Sequence, residues 1–221
     1  MTSERADNLP GDGLVVTPVR LLADSSAVLS DLDGTLIDSS ETVHRIWGRF
    51  ARRHGLDTAR VIDYIYGRPT REAIPVLVPD ADHAAEIAAI DESEVRDVDG
   101  VMALPGALEL LSGERPVAIV TSCTEALARA RLRAAGLPLP AVLVSADAVV
   151  RGKPDPECFV LAAARLGVDV HHCVVLEDAP AGIAAGRAAG ARVIALRTTR
   201  PDESLRDADV IVDTVAAVLG G

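Results

Sequence analysis

The fold turns on Ala27-Val28-Leu29-Ser30-Asp31-Leu32-Asp33-Gly34-Thr35-Leu36-Ile37-Asp38-Ser39-Ser40. An apolar run, Ala27-Val28-Leu29, leads into two aspartates with one residue between them, and Gly34-Thr35 follow at once. Residues two apart on a strand share one face. A strand running through Asp31 into Asp33 is therefore expected to aim both carboxylates the same way at its C-terminal end, with Gly34 permitting a sharp turn. Ligands of open parallel sheets bind beyond the carboxyl ends of the strands. Two close carboxylates repel unless a cation or a proton relieves them. Mg²⁺ suits oxygen ligands and commonly takes one or two carboxylates plus a substrate phosphate. Read alone, Asp33-Gly34 is also an ordinary turn pair. An EF-hand loop fits poorly, because its Gly belongs at the sixth position and its Glu at the twelfth. Here the Gly comes fourth and the twelfth residue is Thr42.

Composition narrows the function classes. Aromatic residues are 2% of the 221, so Val, Leu, Ile and Ala must build the core. Stacking platforms for single-stranded nucleic acid are not expected. A net charge of -11 argues against nucleic-acid and anionic-membrane partners, which need a basic face. It leaves a phosphate substrate open, because a small basic site can sit on an acidic protein. No apolar stretch of transmembrane length occurs, and Met1–Pro10 lacks a signal-peptide apolar region. Cys123, Cys158 and Cys173 are scattered, with no CxxC pair, so reduced thiols and a cytoplasmic location are expected.

Along the chain, Met1–Gly13 reads as a polar tail and Leu14–Leu22 as a short edge strand, because Pro18 bars a central position. Ala27–Leu32 is the first clear strand. Helical periodicity follows over Ser39–His54, Ala59–Tyr66, Thr70–Val78 and Ala81–Val98, with no strand signal between Asp38 and Val101. From Leu104 short apolar strands alternate with helices: strands over Val117–Val120, Val142–Ser145, Cys173–Leu176, Val193–Leu196 and Val210–Val212. That alternation predicts an α/β fold, a doubly wound parallel sheet covered on both faces. The expected division is an N-terminal extension (1–26), a core (27–38 and 104–221) and an inserted all-helical cap (39–103). Gly182, Gly186 and Gly190 recur every fourth residue, which lets a helix lie close to the sheet and is not a dinucleotide fingerprint.

Polar residues recur where the apolar strands end: Asp31 and Asp33, Thr121 and Ser122, Glu177 and Asp178. Arg151-Gly152-Lys153-Pro154 sits between a strand and a helix. Strand ends converge on one edge of a doubly wound sheet. They would assemble acids for a cation, hydroxyls for phosphate oxygens and a lysine for phosphate charge. Each piece alone has a plainer reading. Thr121-Ser122 would cap a helix, Lys153 would be a loop lysine, and Glu177-Asp178 would be the acidic start of a helix.

The ordered set Asp31-Leu32-Asp33-Gly34-Thr35, Thr121-Ser122, Lys153-Pro154 and Glu177-Asp178-Ala179-Pro180-Ala181-Gly182 resembles the haloacid dehalogenase superfamily. Arg52-Arg53-His54-Gly55-Leu56 and Ala103-Leu104-Pro105-Gly106-Ala107 are similar to the branch of sugar-phosphate and polyol-phosphate phosphatases with a small helical cap. The resemblance covers almost all the chain from Ala27. It implies a Rossmann-like core with the cap inserted after the first strand. It also implies Asp31 as nucleophile, Asp33 as general acid and base, and Thr121, Ser122 and Lys153 on phosphate oxygens. Mg²⁺ would be held by Asp31, Asp178 and the Asp33 carbonyl, with Glu177 acting through water. One departure is Cys123, where related phosphatases often carry Gly. In the cap, Arg68 and Arg71 of Gly67-Arg68-Pro69-Thr70-Arg71 are candidates for a sugar hydroxyl or a second anion. The implied function is Mg²⁺-dependent hydrolysis of a small sugar or polyol phosphate by a monomer or weak homodimer. A hexose-phosphate mutase and a non-catalytic phosphate sensor are the alternatives. The mutase reading is disfavoured because 39–101 contains no lysine.

Overall fold

The computed structural model describes residues 16–220; the polar tail Met1–Gly13 lies outside them. Helix α1 (Pro18–Ala23) precedes β1 (Ala27–Ser30) and β2 (Ile37–Asp38). Four helices follow: α2 (Ser40–Arg53), α3 (Thr58–Ile65), α4 (Thr70–Leu77) and α5 (His83–Arg96). Then come β3 (Met102–Ala103), α6 (Ala107–Ser112), β4 (Val117–Val120), α7 (Glu125–Ala134), β5 (Val142–Val144) and α8 (Glu157–Leu166). The chain closes with β6 (Cys173–Glu177), α9 (Pro180–Ala188), β7 (Arg192–Leu196), α10 (Asp202–Leu205), β8 (Val210–Val212) and α11 (Val215–Leu219).

Six strands form one parallel sheet in the order β5-β4-β1-β6-β7-β8. This is the doubly wound α/β architecture that the alternation predicts. β1 lies between β4 and β6, with Ser30 opposite both Ile119 and Leu176. The ends of these three strands therefore converge. Alternate strand residues enter two separate cores, one on each face. Val28, Ile119, Val174 and Leu176 go to one, and Leu29, Val120, Val175 and Val193 to the other. Burial on both faces is why these strands read as continuous apolar runs.

Helices α2 to α5 have a third core of their own around Ile46, Trp47, Phe50, Ile62 and Ile74. They leave and rejoin the core through β2 and β3, a two-residue antiparallel pair with Ile37 opposite Ala103. β3 was not legible as a strand, since both its residues are exposed and two residues carry no periodicity. The edge strand expected over Leu14–Leu22 is corrected. Pro18–Ala23 is a helix with Pro at its start, and the Thr17 side chain accepts from the Arg20 N–H. Pro18 marks a helix start, where its missing N–H costs nothing. No helix among the described residues is long and apolar enough to cross a membrane.

Candidate active site

β1 ends at Ser30 because the chain turns there. Asp31 N–H still donates to Leu176 O at 2.9 Å, but Leu32 O accepts from Thr35, Leu36 and Ile37 N–H at 3.3, 2.9 and 3.1 Å. The strand does not continue to Asp33, so the expectation of two carboxylates facing one way is corrected. Gly34 has φ +82, and a Cβ on it would fall 2.3 Å from Asp178 Oδ2. The turn crosses the Asp178 carboxylate only because residue 34 has no side chain.

Asp31 faces Lys153, whose Nζ donates to Asp31 Oδ1 and Glu177 Oε1 at 2.6 Å each and to Val120 O at 3.0 Å. These three acceptors use all three ammonium protons. Lys153 is the chain's only lysine, and it is buried. Glu177 Oε2 accepts from Asp178 and Ala179 N–H at 2.9 and 3.0 Å. A Cβ on Gly182 would lie 1.7 Å from Glu177 Oε1, so α9 sits over this carboxylate only as glycine. Asp178 accepts from the Thr199 hydroxyl.

Burial raises the Asp31 carboxyl well above its ordinary range, against the pull of Lys153, with Glu177 and Asp178 adding to the rise. Burial and then Glu177 push Asp178 up to about 7. The physical cause is three buried carboxylates around one lysine, an excess of negative charge. Ligand oxygens of Asp31, Glu177 and Asp178 lie within 4.8 Å of one another. The cluster fits a hard divalent cation: oxygen donors, uncompensated charge, and space over Asp178 that a side chain at residue 34 would fill.

Asp33 faces other partners. Its Oδ1 accepts from Ser39 Oγ at 2.6 Å and from an Arg131 NH1 proton at 2.8 Å, and its Oδ2 from the Cys123 thiol at 3.0 Å. Burial and Asp33 hold the Cys123 thiol well above its ordinary pKa, so it stays a donor. Thr121 is buried and its Oγ1 accepts from Cys123 N–H at 3.1 Å, while Ser122 Oγ donates to Gly67 O at 3.1 Å. Thr124, not this pair, caps α7.

A cavity of about 250 Å³ opens between these groups and helices α2 to α5. Asp31, Asp33, Ser122 and Asp178 line it from the sheet side, Arg68 and Arg71 from the helices. Lys153 lies behind Asp31. Arg68 is exposed, donates Nε–H to Tyr64 O at 3.0 Å and stacks on the Tyr64 ring at 4.7 Å. Arg71 donates to Ala146 O at 2.7 Å, and its other terminal nitrogen is buried without a partner.

Sequence reading missed Arg131 and Glu94, which also line the cavity. A signal existed for both. Arg131 is four residues after Leu127 and three after Ala128, on the buried stripe of α7. Glu94 is four after Ile90, on the buried stripe of α5. A charged residue on an apolar helical face is rarely buried without a partner.

The model of the haloacid dehalogenase-like hydrolase family matches residues 26–190. The chain belongs to this family. Hexitol phosphatase A of Escherichia coli is 42% identical over 197 residues, spanning 86% of this chain and 91% of the relative. Validoxylamine A 7'-phosphate phosphatase of Streptomyces hygroscopicus is 38% identical, spanning 86% of this chain and 94% of the relative. CbbY from Rhodobacter sphaeroides, solved in complex with phosphate, superimposes with a TM-score of 0.77 at 24% identity. It covers 89% of this chain and all of that one, and it speaks to the fold alone. This haloacid dehalogenase-like hydrolase is a phosphomonoester hydrolase, which sets aside the non-catalytic reading.

Proposed function

We propose that this hydrolase is a Mg²⁺-dependent phosphatase of small sugar or polyol phosphates that works through an aspartyl-phosphate on Asp31. The observation that carries the reading is the position of Asp31. It ends the central strand, touches the only lysine at 2.6 Å and lines a cavity closed by a helical insert. Support for the substrate class comes from the names of the two relatives and from the cavity, whose far wall offers Arg68, Arg71 and Thr70 to hydroxyls.

An Asp31 oxygen attacks phosphorus and the ester oxygen leaves, taking a proton from Asp33. Water then attacks the phosphoaspartate while the Asp33 carboxylate accepts its proton, freeing phosphate and Asp31. Splitting the displacement in two is covalent catalysis. Ser122 and Thr121 would supply donors to phosphate oxygens, and Ser122 would exchange its bond to Gly67 O for one of them. Lys153 balances the charge of Asp31, and it would give up the Val120 carbonyl to reach a phosphate oxygen. Asp31, Asp178 and the Asp33 carbonyl would hold Mg²⁺, with Glu177 reaching it through water. The ion offsets charge between two anions and orients them.

The test is intact-mass analysis of rapidly quenched protein after mixing with an aryl phosphate. Asp33→Asn should accumulate a phosphate adduct on Asp31, because general base help worth about 10²–10⁴ is lost from the second step. Asp31→Asn should show none. An adduct in Asp31→Asn, or phosphate mapped elsewhere, overturns the assignment. Discharge of the wild-type adduct into added sugar phosphate, giving a bisphosphate in place of free phosphate, would make the protein a mutase.

A further inference from the structure

Arg131 belongs to α7 of the core and is 3% exposed. It makes two ionic contacts, one with the core and one with the helical insert. NH1 donates to Asp33 Oδ1 at 2.8 Å, and NH2 reaches Glu94 Oε1 at 3.4 Å. Glu94 belongs to α5 of the helical insert, and its Oε1 also accepts the Trp47 indole N–H of α2 at 3.2 Å. The Arg131 Nε–H is buried with no acceptor. Burying a guanidinium with a donor unpaired costs stability, so packing alone does not explain this placement.

Asp33 is gripped from both sides of the cavity. Ser39, the residue before α2, and Arg131 share its Oδ1, while Cys123 holds Oδ2. Lifting α2 and α5 off the sheet would remove Ser39 and Glu94 together. Arg131 would then have no second carboxylate to fix its plane. We infer that Arg131 is a positioning residue for Asp33, and that Glu94, braced by Trp47, makes the aim of Asp33 depend on the helical insert being seated. The inference rests on the acid–base role proposed for Asp33. It gives a reason for proton transfer to wait until the helical insert is seated on the core, the arrangement in which Arg131 holds both Asp33 and Glu94.

A misaimed acid hurts a poor leaving group more than a good one. The experiment compares kcat/KM, which reports the first phosphoryl transfer, on glucitol 6-phosphate and on p-nitrophenyl phosphate. Arg131→Met should lose about 100-fold on the hexitol phosphate and at most about 10-fold on the aryl phosphate, the pattern of lost acid assistance. Glu94→Gln, which keeps the acceptor for Trp47, should show the same asymmetry at about one third to one tenth of the size. Arg131→Lys keeps the charge without the fork and should fall between them. Equal fractional losses on both substrates, as a smaller folded fraction would give, overturn the inference. If Arg131→Met does not fold, Glu94→Gln and Arg131→Lys decide in the same way. Asp33→Asn is run beside them. If it too lacks the asymmetry, the acid–base assignment fails and takes the inference with it. If it alone shows the asymmetry, Asp33 keeps its role and Arg131 loses the one inferred here.

Discussion

The two walls of the cavity are built differently. On the sheet side, Asp31, Lys153, Glu177 and Asp178 are all buried, and their side chains are held by one another, by main chain or, for Asp178, by the Thr199 hydroxyl. Three of the four lie at or just past a strand end, so the backbone ladder sets where they sit. On the helical side, Arg68 and Arg71 reach from the α3–α4 loop and the first turn of α4 through long side chains. Each is anchored by one hydrogen bond to a carbonyl, Tyr64 O or Ala146 O. On the proposed reading the contrast matches two jobs. Groups held at strand ends are preorganised, as bond-making demands, whereas long side chains reaching from a loop and a helix start can adapt to different leaving groups. Substitution on the sheet side should lower the rate on every substrate, and substitution on the helical side should reorder substrates.

The largest effect belongs to Lys153. Lys153→Met leaves Asp31 and Glu177 buried without their cation, and breaking a buried pair costs about 3–5 kcal/mol. The variant should lose activity on all phosphates alike and unfold at distinctly lower urea. Retained stability with full activity would break the contrast at its strongest point.

Asp178 sharpens it through pH. Its folded pKa of about 7 lies above the ordinary 3.8. The folded protein therefore binds the extra proton, and the stability it brings is present below pH 3.8 and lost as pH rises through 7. In metal-free protein, Asp178→Asn should remove that part of the decline between pH 5 and 7.5, read as a smaller difference in melting temperature. Mg²⁺ should do the same to wild type by favouring the charged form. Chelation should abolish phosphate release, and added Mg²⁺ should restore it.

On the helical side, Arg71→Ala and Arg68→Ala should shift the preference among sugar and polyol phosphates by about 10-fold while leaving the aryl phosphate within about threefold. Arg71 should matter more, because it also ties α4 to Ala146 of the core. An unchanged substrate ranking in both variants would mean that selectivity lies elsewhere.

The smallest effect is a control away from the cavity. Arg45 and Arg49 hold Asp97 at 2.6 and 3.1 Å and draw its pKa down to about 2. A depressed carboxyl stabilises above the unfolded value and loses that contribution as pH falls through the folded one, here between about 4 and 2. Asp97→Asn should cost under about 1 kcal/mol at pH 7, converge with wild type near pH 2, and leave kcat unchanged.

Much of the sheet side was legible because its signals are local. Asp31, Thr121 and Glu177 each sit within two residues of the end of an apolar run, and strand ends of a doubly wound sheet must meet. What was not legible is pairing across sequence distance. Asp31 and Asp33 look equivalent in the chain, yet a turn closed on Leu32 O sends one to Lys153 and the other to Arg131. Arg131 and Glu94 are 37 positions apart, each inside an ordinary amphipathic helix. Only the packing of α5 against α7 tells that they meet. Pro18 misled because the same residue excludes a central strand and opens a helix.

The solitary lysine has a practical consequence. Reagents that acylate primary amines find no lysine on the folded surface, because Lys153 is buried and the three protons of its ammonium are committed to Asp31, Glu177 and Val120. Modification at Lys153 therefore requires these three contacts to be released. Its rate, followed by peptide mass after timed exposure to an acylating reagent, reports how often Lys153 lets go of Asp31, Glu177 and Val120.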